Sequence, residues 1–242
     1  LTGVATSLLI GVLGNGEVGA AVSGLYGEAE IFLKDLTEDN FPERLDLLHV
    51  CIPWSDIFVD DVVRTIVEKT PEIVIIHSTV PVGTTKNIGR IAVHSPIRGK
   101  HPDLLRSLRT FIKFIGCDDP MTGKIAADHL ESLGVPVRLV CGSETTEMLK
   151  LLDTTYYATC IAFHGYAKSL CDKTGADFSV AMTEANETYN EGYKKLGMSW
   201  VARPVLSPPE DRIGGHCLIP NAEILFRQFG GNGIIDEVLK LR

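Results

Sequence analysis

The residues in this sequence that could do chemistry fall in two sets, one marked by type and spacing and one by type alone. The first is Gly14-Asn15-Gly16-Glu17-Val18-Gly19, which follows an apolar run and leads into a helical segment. In a G-x-G-x-x-G pattern so placed, the first glycine permits a tight turn, the second lets backbone approach a pyrophosphate, and the third lets helix and strand pack closely. The N-terminal N–H groups of the helix then face the anion. Asp35 closes the next β-rich run about 20 residues on, where a carboxylate accepts the ribose hydroxyls of NAD and repels the 2′-phosphate of NADP. Gly14, Asn15, Gly16, Glu17, Val18 and Asp35 are therefore the expected NAD contacts, with Pro53 and Thr79 as further candidates. Asp35 is also readable as one more solvated acid in Lys34-Asp35-Leu36-Thr37-Glu38-Asp39.

The second set is a thiol, an ammonium and a hydroxyl: Cys217 after two glycines, Lys150 near the start of a long helical segment, and Thr79 at the end of a β-rich run. By residue type alone, each also has a plain reading, as a small residue in a tight loop, a solvated charge and a strand end.

These residues need elements to hold them. Up to about residue 141, short β-rich runs alternate with segments of helical period. The expected strands are Ser7–Leu13, Glu30–Lys34, Leu47–Ile52, Ile73–Ile76, Ile91–Val93, Phe111–Ile115 and Val137–Val140, and such alternation implies a parallel sheet. Asp56–Lys69 puts Ile57, Val59, Val62, Val63, Ile66 and Val67 on one helical side, and Met121–Leu133 does the same for Ile125, Ala126, His129 and Leu130. The segment between Asp35 and Leu47 is too short for a full crossover helix. After Gly142 the strands stop, and one helix runs from Ser143 to Lys173-Thr174-Gly175, roughly 45 Å at 1.5 Å per residue. Its apolar positions go nearly all round, which predicts burial on two sides and a homodimer through this helix. A second helix starts at Asp177 and reaches about Leu196, and Arg203–Asn221, rich in Pro and Gly, reads as a loop. The expected fold class is α/β: a Rossmann-type doubly wound parallel sheet over 1–141, followed by a helical domain over 142–242 with a long central helix.

With 242 residues, 45% of them hydrophobic and 22% charged, the composition is that of a globular protein. The net charge of -8 disfavours nucleic acid and anionic lipid as partners. Six cysteines without a CxxC pair form neither a disulfide framework nor a zinc-ligand spacing, so reduced thiols in a cytoplasmic protein are expected and no metal is. Histidines 77, 94, 101 and 216 show no ligand spacing either, although His94, beside Ser95-Pro96, is a candidate proton carrier. The opening LTGVATSLLIGVLGNG reads as a strand rather than a signal peptide, and no stretch reaches the roughly 20 apolar residues of a membrane span.

Ser78-Thr79-Val80-Pro81-Val82-Gly83-Thr84-Thr85 and Gly214-Gly215-His216-Cys217 resemble, in order and separation, the STVPVGTT segment and the active-site GGHC loop of the UDP-glucose/GDP-mannose dehydrogenase family. Glu147-Met148-Leu149-Lys150 resembles the family's E-x-x-K signature, and the resemblance covers nearly the whole chain. It implies a two-step, four-electron oxidation of a sugar C6 alcohol to the acid with two NAD consumed. The residue matching Cys217 would attack the aldehyde and carry a thioester, Lys150 would stabilise the oxyanion, and Thr79 would bond cofactor or a bound water.

The sequence departs from that pattern where the chemistry lies. The family's Pro-Glu is Pro96-Ile97, the asparagine expected one turn after the lysine is Thr154, and the aspartate four residues after the cysteine is Asn221. An isoleucine cannot activate water, and an amide cannot act as a base. The chain ends at Arg242, short of the family's C-terminal domain that grips the nucleotide, so a smaller or different substrate than a UDP-sugar is expected unless a partner chain supplies that domain. Two functions follow: an NAD-dependent oxidoreductase on a small-molecule CH–OH group, with a sugar nucleotide as one candidate substrate and Cys217, Lys150, Thr79, Asn221 and Thr154 at its centre, or a non-catalytic NAD-binding or regulatory protein. The wider hydroxyacid and 6-phosphogluconate dehydrogenase group is a third comparison, from which Thr154 and the GGHC loop depart.

Overall fold

The computed structural model describes residues 8–214 and 217–242, and divides into two compact units, 1–150 and 151–242. The first is built on one eight-stranded sheet. Its strands are β1 (Ile10–Leu13), β2 (Phe32–Asp35), β3 (Glu38–Asp39), β4 (Leu47–Val50), β5 (Ile73–Ile76), β6 (Ala92–His94), β7 (Lys113–Cys117) and β8 (Val137–Cys141), in the order β3-β2-β1-β4-β5-β6-β7-β8. Helices α1 (Glu17–Ser23), α2 (Phe58–Lys69), α3 (Thr84–Ile88), α4 (Leu104–Thr110) and α5 (Pro120–Ser132) connect them.

The central strands are buried on both faces, which is why they read as unbroken apolar runs. Successive residues serve opposite cores. Val12, Leu47, Ile75 and Val93 join Ala21 and Val22 of α1, Leu104 and Leu108 of α4, and Ala126 and Leu130 of α5 on one face. Leu13, Leu48, Val50, Val74 and Ile76 meet Phe58 and Val62 of α2 on the other. The sheet is thus doubly wound, a Rossmann-type arrangement.

The details correct several expectations. Two joins are antiparallel, β2 with β3 and β6 with β7, while the others are parallel. Alternation of strand and helix signals carries no strand direction, so the sequence could not show these reversals. The short segment after Asp35 turns back as the hairpin strand β3, with no helix before β4. On α2, Val62 is buried beside Phe58 and Thr65, whereas Ile57 and Val67 are exposed. Ile125 of α5 likewise faces outward.

Helix α6 (Ser143–Thr174) runs 32 residues, about 48 Å at 1.5 Å per residue. The second unit consists of its part beyond Lys150, a π-helical turn over Ser179–Glu184 that continues as α7 (Ala185–Lys195), then α8 (Leu218–Phe229) and α9 (Ile234–Leu239). Asp177 starts the second helix by accepting the Ser179 N–H at 2.8 Å. Ala158, Ile213, Ala222 and Val238 form the small core of this unit. The expected loop to Asn221 ends earlier, at Cys217. Leu218, Ala222 and Leu225 recur at helical spacing, and Pro220 lies in the first turn, where its missing N–H breaks no helical bond. Gly215 and His216 of the GGHC segment lie outside the described residues. No helix among those described is long and apolar enough to cross a membrane.

Candidate cofactor and catalytic sites

The parallel register brings the carboxyl ends of β1, β2, β4 and β5 to one edge, with Leu13 opposite both Lys34 and Val50, and Val50 opposite Ile76. Ligands of doubly wound sheets gather at this edge, where strand order switches direction, here between β1 and β4. The Gly14 loop, Asp35, Pro53 and Thr79 all follow these ends.

The three glycines differ physically. Gly14 has φ +95° and donates its N–H to the Lys34 carbonyl at 2.8 Å; a Cβ there would lie 2.9 Å from the backbone of Cys51 and Ile52. A Cβ on Gly19 would lie 1.8 Å from the Gly14 oxygen. One on Gly16 would meet nothing within 4 Å, so this backbone stays open to an approaching group. Asn15, Gly16 and Glu17 are exposed and Val18 is half-buried. Glu17 pairs with the His101 ring at 2.5 Å.

Asp35 accepts the Asn15 N–H at 2.5 Å through one oxygen and the Leu36 N–H at 2.6 Å through the other. These backbone bonds, Asn15 first, hold its carboxyl below the usual range, so it is ionised at neutral pH. The carboxylate therefore braces the glycine loop, and each oxygen keeps acceptor capacity for a hydroxyl. Pro53 is exposed and Thr79 half-buried.

Lys150 and Glu147, on the first turns of α6, have separate tasks. Glu147 accepts from Gly83 N at 2.6 Å, Thr85 N at 2.8 Å and Thr85 Oγ1 at 2.7 Å, which ties the Val80–Thr85 segment to the helix. Burial raises its carboxyl against these bonds. Lys150 donates to the Ile97 carbonyl at 2.8 Å.

That carbonyl belongs to a row that sequence reasoning missed. The buried Lys113 donates to the carbonyls of Ser95 at 2.6 Å and Pro96 at 3.2 Å, and burial pushes its ammonium down to about 7. The carbonyls of residues 95, 96 and 97 thus receive two lysines. His77 also donates to Ser95 O, at 3.1 Å, and begins a buried chain through His49 (2.9 Å) and Tyr26 (2.5 Å) to His129 (2.7 Å). A carbonyl only accepts, so the His77 Nδ1 carries hydrogen, which makes His49 a donor through Nδ1, Tyr26 a donor to His49, and His129 a donor to Tyr26. His94 is pinned by Ser78 O at 3.1 Å and Thr146 Oγ1 at 2.9 Å, and burial holds it at about 3. With both ring nitrogens bonded inside the core, it fits the structural reading of this histidine. The one signal for this array in the sequence was a lysine inside Phe111-Ile112-Lys113-Phe114-Ile115 and a histidine inside Leu47-Leu48-His49-Val50.

In the second unit, Thr154 and Asn221 are buried and bonded to each other, Asn221 Nδ2 donating to Thr154 Oγ1 at 3.1 Å while Thr154 donates to Leu151 O at 3.2 Å. The expected loop residue Asn221 is therefore a helical one, in the first turn of α8. Cys217 is the N-cap of α8, a half-buried free thiol whose carbonyl accepts the Asn221 N–H at 3.1 Å. Among the described residues, no three His, Cys, Asp or Glu side chains gather as a metal-ligand set.

Fold and loop define a Rossmann-type unit followed by helices. The chain is 25% identical to the UDP-N-acetyl-D-mannosamine dehydrogenase of Methanococcus vannielii over 76% of its own length and 45% of that protein's. It superposes on the UDP-D-ManNAc dehydrogenase of Pyrococcus horikoshii with a TM-score of 0.76 at 18% identity, covering 97% of this chain and 68% of that one. The 3-hydroxyisobutyrate dehydrogenase of Mycobacterium tuberculosis shares the fold at TM-score 0.67 and 13% identity, with 97% and 92% covered. No family model matches the chain. By sequence the chain is similar to UDP-N-acetyl-D-mannosamine dehydrogenases, and it spans about half the length of the curated relatives it matches.

Proposed function

We propose that the chain is part of an NAD-dependent oxidoreductase acting on the CH–OH group of a small molecule, a sugar nucleotide being the first class to try. The observation that carries this reading is the glycine loop: two glycines whose Cβ atoms would clash, a middle one open to approach, and an ionised Asp35 at its rim. These residues fit a dinucleotide, with Gly14 to Gly19 at the pyrophosphate, Asp35 at the ribose, and Pro53 and Thr79 beside them. Bound NAD would accept a hydride from the carbinol carbon. The Lys150 ammonium would offset negative charge on the substrate oxygen; the chemistry that Cys217, in the second unit, could contribute is that of a nucleophilic thiol. Thr154 and Asn221 form a neutral pair and Ile97 offers only its carbonyl, so none of the three supplies a base for thioester hydrolysis. The reading therefore stops at two-electron chemistry. That neutral pair also favours the second reading, an NAD-binding protein without turnover.

A thermal-shift titration with NAD and NADP tests both. A ligand that binds only the folded state stabilises by about 2.7 kcal/mol at a hundred times its dissociation constant. A shift with NAD but not NADP, followed by alcohol-dependent NADH formation, is the expected result. A shift without turnover on sugar nucleotides or smaller alcohols selects the second reading, and no shift with either nucleotide removes both.

A further inference from the structure

Cys117 closes β7 and Cys141 closes β8, and the parallel ladder sets them opposite one another as register partners. The strands are still paired at this end, where the Gly142 N–H donates to the Cys117 carbonyl at 2.9 Å. Neighbouring strands lie about 4.8 Å apart, inside the window of about 4.4 to 6.8 Å between Cα atoms that a disulfide spans. Register partners in a parallel pair point to the same face, here the face that α5 covers. A Cβ on Gly123 of α5 would lie 2.2 Å from Cys117 Sγ and 3.4 Å from the side chain of Leu139, and Leu139 stands two residues before Cys141 on the same side of β8. The Cys117 thiol leans across the gap, 3.8 Å from the Val140 carbonyl that precedes Cys141. Cys117 is buried, Cys141 is exposed, and both are free.

We propose that Cys117 and Cys141 are a reversible thiol–disulfide pair, a modification site whose reactant is a low-molecular-weight disulfide such as oxidised glutathione. The exposed Cys141 thiolate attacks one sulfur of glutathione disulfide, forming a mixed disulfide and expelling one glutathione thiolate. The Cys117 thiolate then attacks the Cys141 sulfur and expels the second glutathione. The pair loses two protons and two electrons, and one glutathione disulfide becomes two glutathione thiols. The order follows from exposure: burial, with Cys141, Asp118 and Asp119, raises the Cys117 thiol and so keeps it from attacking first. Side chains of strand neighbours stand farther apart than the roughly 3.8 Å that disulfide Cβ atoms prefer, so the bond carries strain, and strained disulfides are readily reduced. Cys141 is the last residue of an edge strand and Gly142, at φ +82°, follows it, which leaves room for the adjustment. The bond would staple β7, α5 and β8 just ahead of α6, whose first residue, Ser143, already donates to Asp118 at 2.7 Å.

The test is intact-mass analysis, thiol titration and peptide mapping after incubation with oxidised glutathione. Wild type is expected to lose the mass of two hydrogens and two of its six titratable thiols, to link the peptides carrying residues 117 and 141, and to revert with dithiothreitol. C117S is expected to stop with one glutathione on Cys141. C141S, altered at an exposed side chain, is expected to form no internal disulfide, which keeps the test open if C117S does not fold. Wild type stopping at the glutathione adduct, or linking any other pair, overturns the proposal. No nucleotide or substrate enters the measurement, so its failure leaves the oxidoreductase reading untouched.

Discussion

At the residue scale, Thr154 and Asn221, which the resemblance reads against an asparagine and an aspartate, are hydrogen-bonded to each other. Each substitution makes sense in light of the other. A carboxylate at 221 would sit buried against a hydroxyl that already donates to the Leu151 carbonyl, whereas an amide offers the N–H that the hydroxyl oxygen can accept. Thr154→Val should therefore leave the buried Asn221 amide short of a partner and cost about 1–3 kcal/mol. Asn221→Leu should also destabilise. The double variant should cost less than the sum, because it removes both ends of one bond. Urea unfolding of the four proteins measures this; strict additivity would show that the two side chains do not depend on each other.

At the element scale, α6 presents Leu152, Tyr156, Phe163, Tyr166 and Leu170, separated by 4, 7, 3 and 4 residues and each between 42 and 66% exposed. Such spacing forms one apolar stripe along a helix, and a stripe of this length in water favours a covering surface. A second copy of the chain is the occupant we propose. Light scattering at micromolar concentration should give twice the 26.4 kDa chain mass, and Y156K/Y166K, which sets two charges on the stripe, should return it to one. A wild-type monomer would refute the assignment. The other side of the helix is committed differently, since Glu147 gathers three donors from residues 83 and 85.

At the scale of the whole molecule, the Rossmann unit carries an unusual load of buried imidazole. His49 and His77 are pushed well below the ordinary histidine range, His94 to about 3 and His129 more modestly, each chiefly by burial. Above about pH 6.5 these rings are neutral in the folded and unfolded chain alike and contribute no pH dependence. Below it the unfolded chain binds protons that the folded chain refuses, so stability falls as pH falls through 6.5 towards the folded values. The fully buried His49, His77 and His94 each contribute on the order of 1.4 kcal/mol per pH unit in that window. Glu147, raised in the fold, works in the opposite sense around its own range but is one group against several. The urea midpoint should drop markedly between pH 7 and pH 5, and a flat midpoint would mean that these rings are hydrated or charged in the native state.

What the sequence determined by itself is local. The Gly14–Gly19 loop, Asp35 at the end of β2, the central strands and the long helix were all legible, because turn geometry, two-sided apolar strands and helical period are written within a few residues of one another. Tertiary structure decided what depends on distant partners. The reversal of β3 and β7 rests on hydrogen-bond register; the helical, buried place of Asn221 rests on a bond to a residue 67 positions away; and the chain from His129 through Tyr26 and His49 joins side chains up to 103 positions apart. A buried polar group is tolerated only when a partner satisfies it, and that partner is found by folding and not by proximity along the chain.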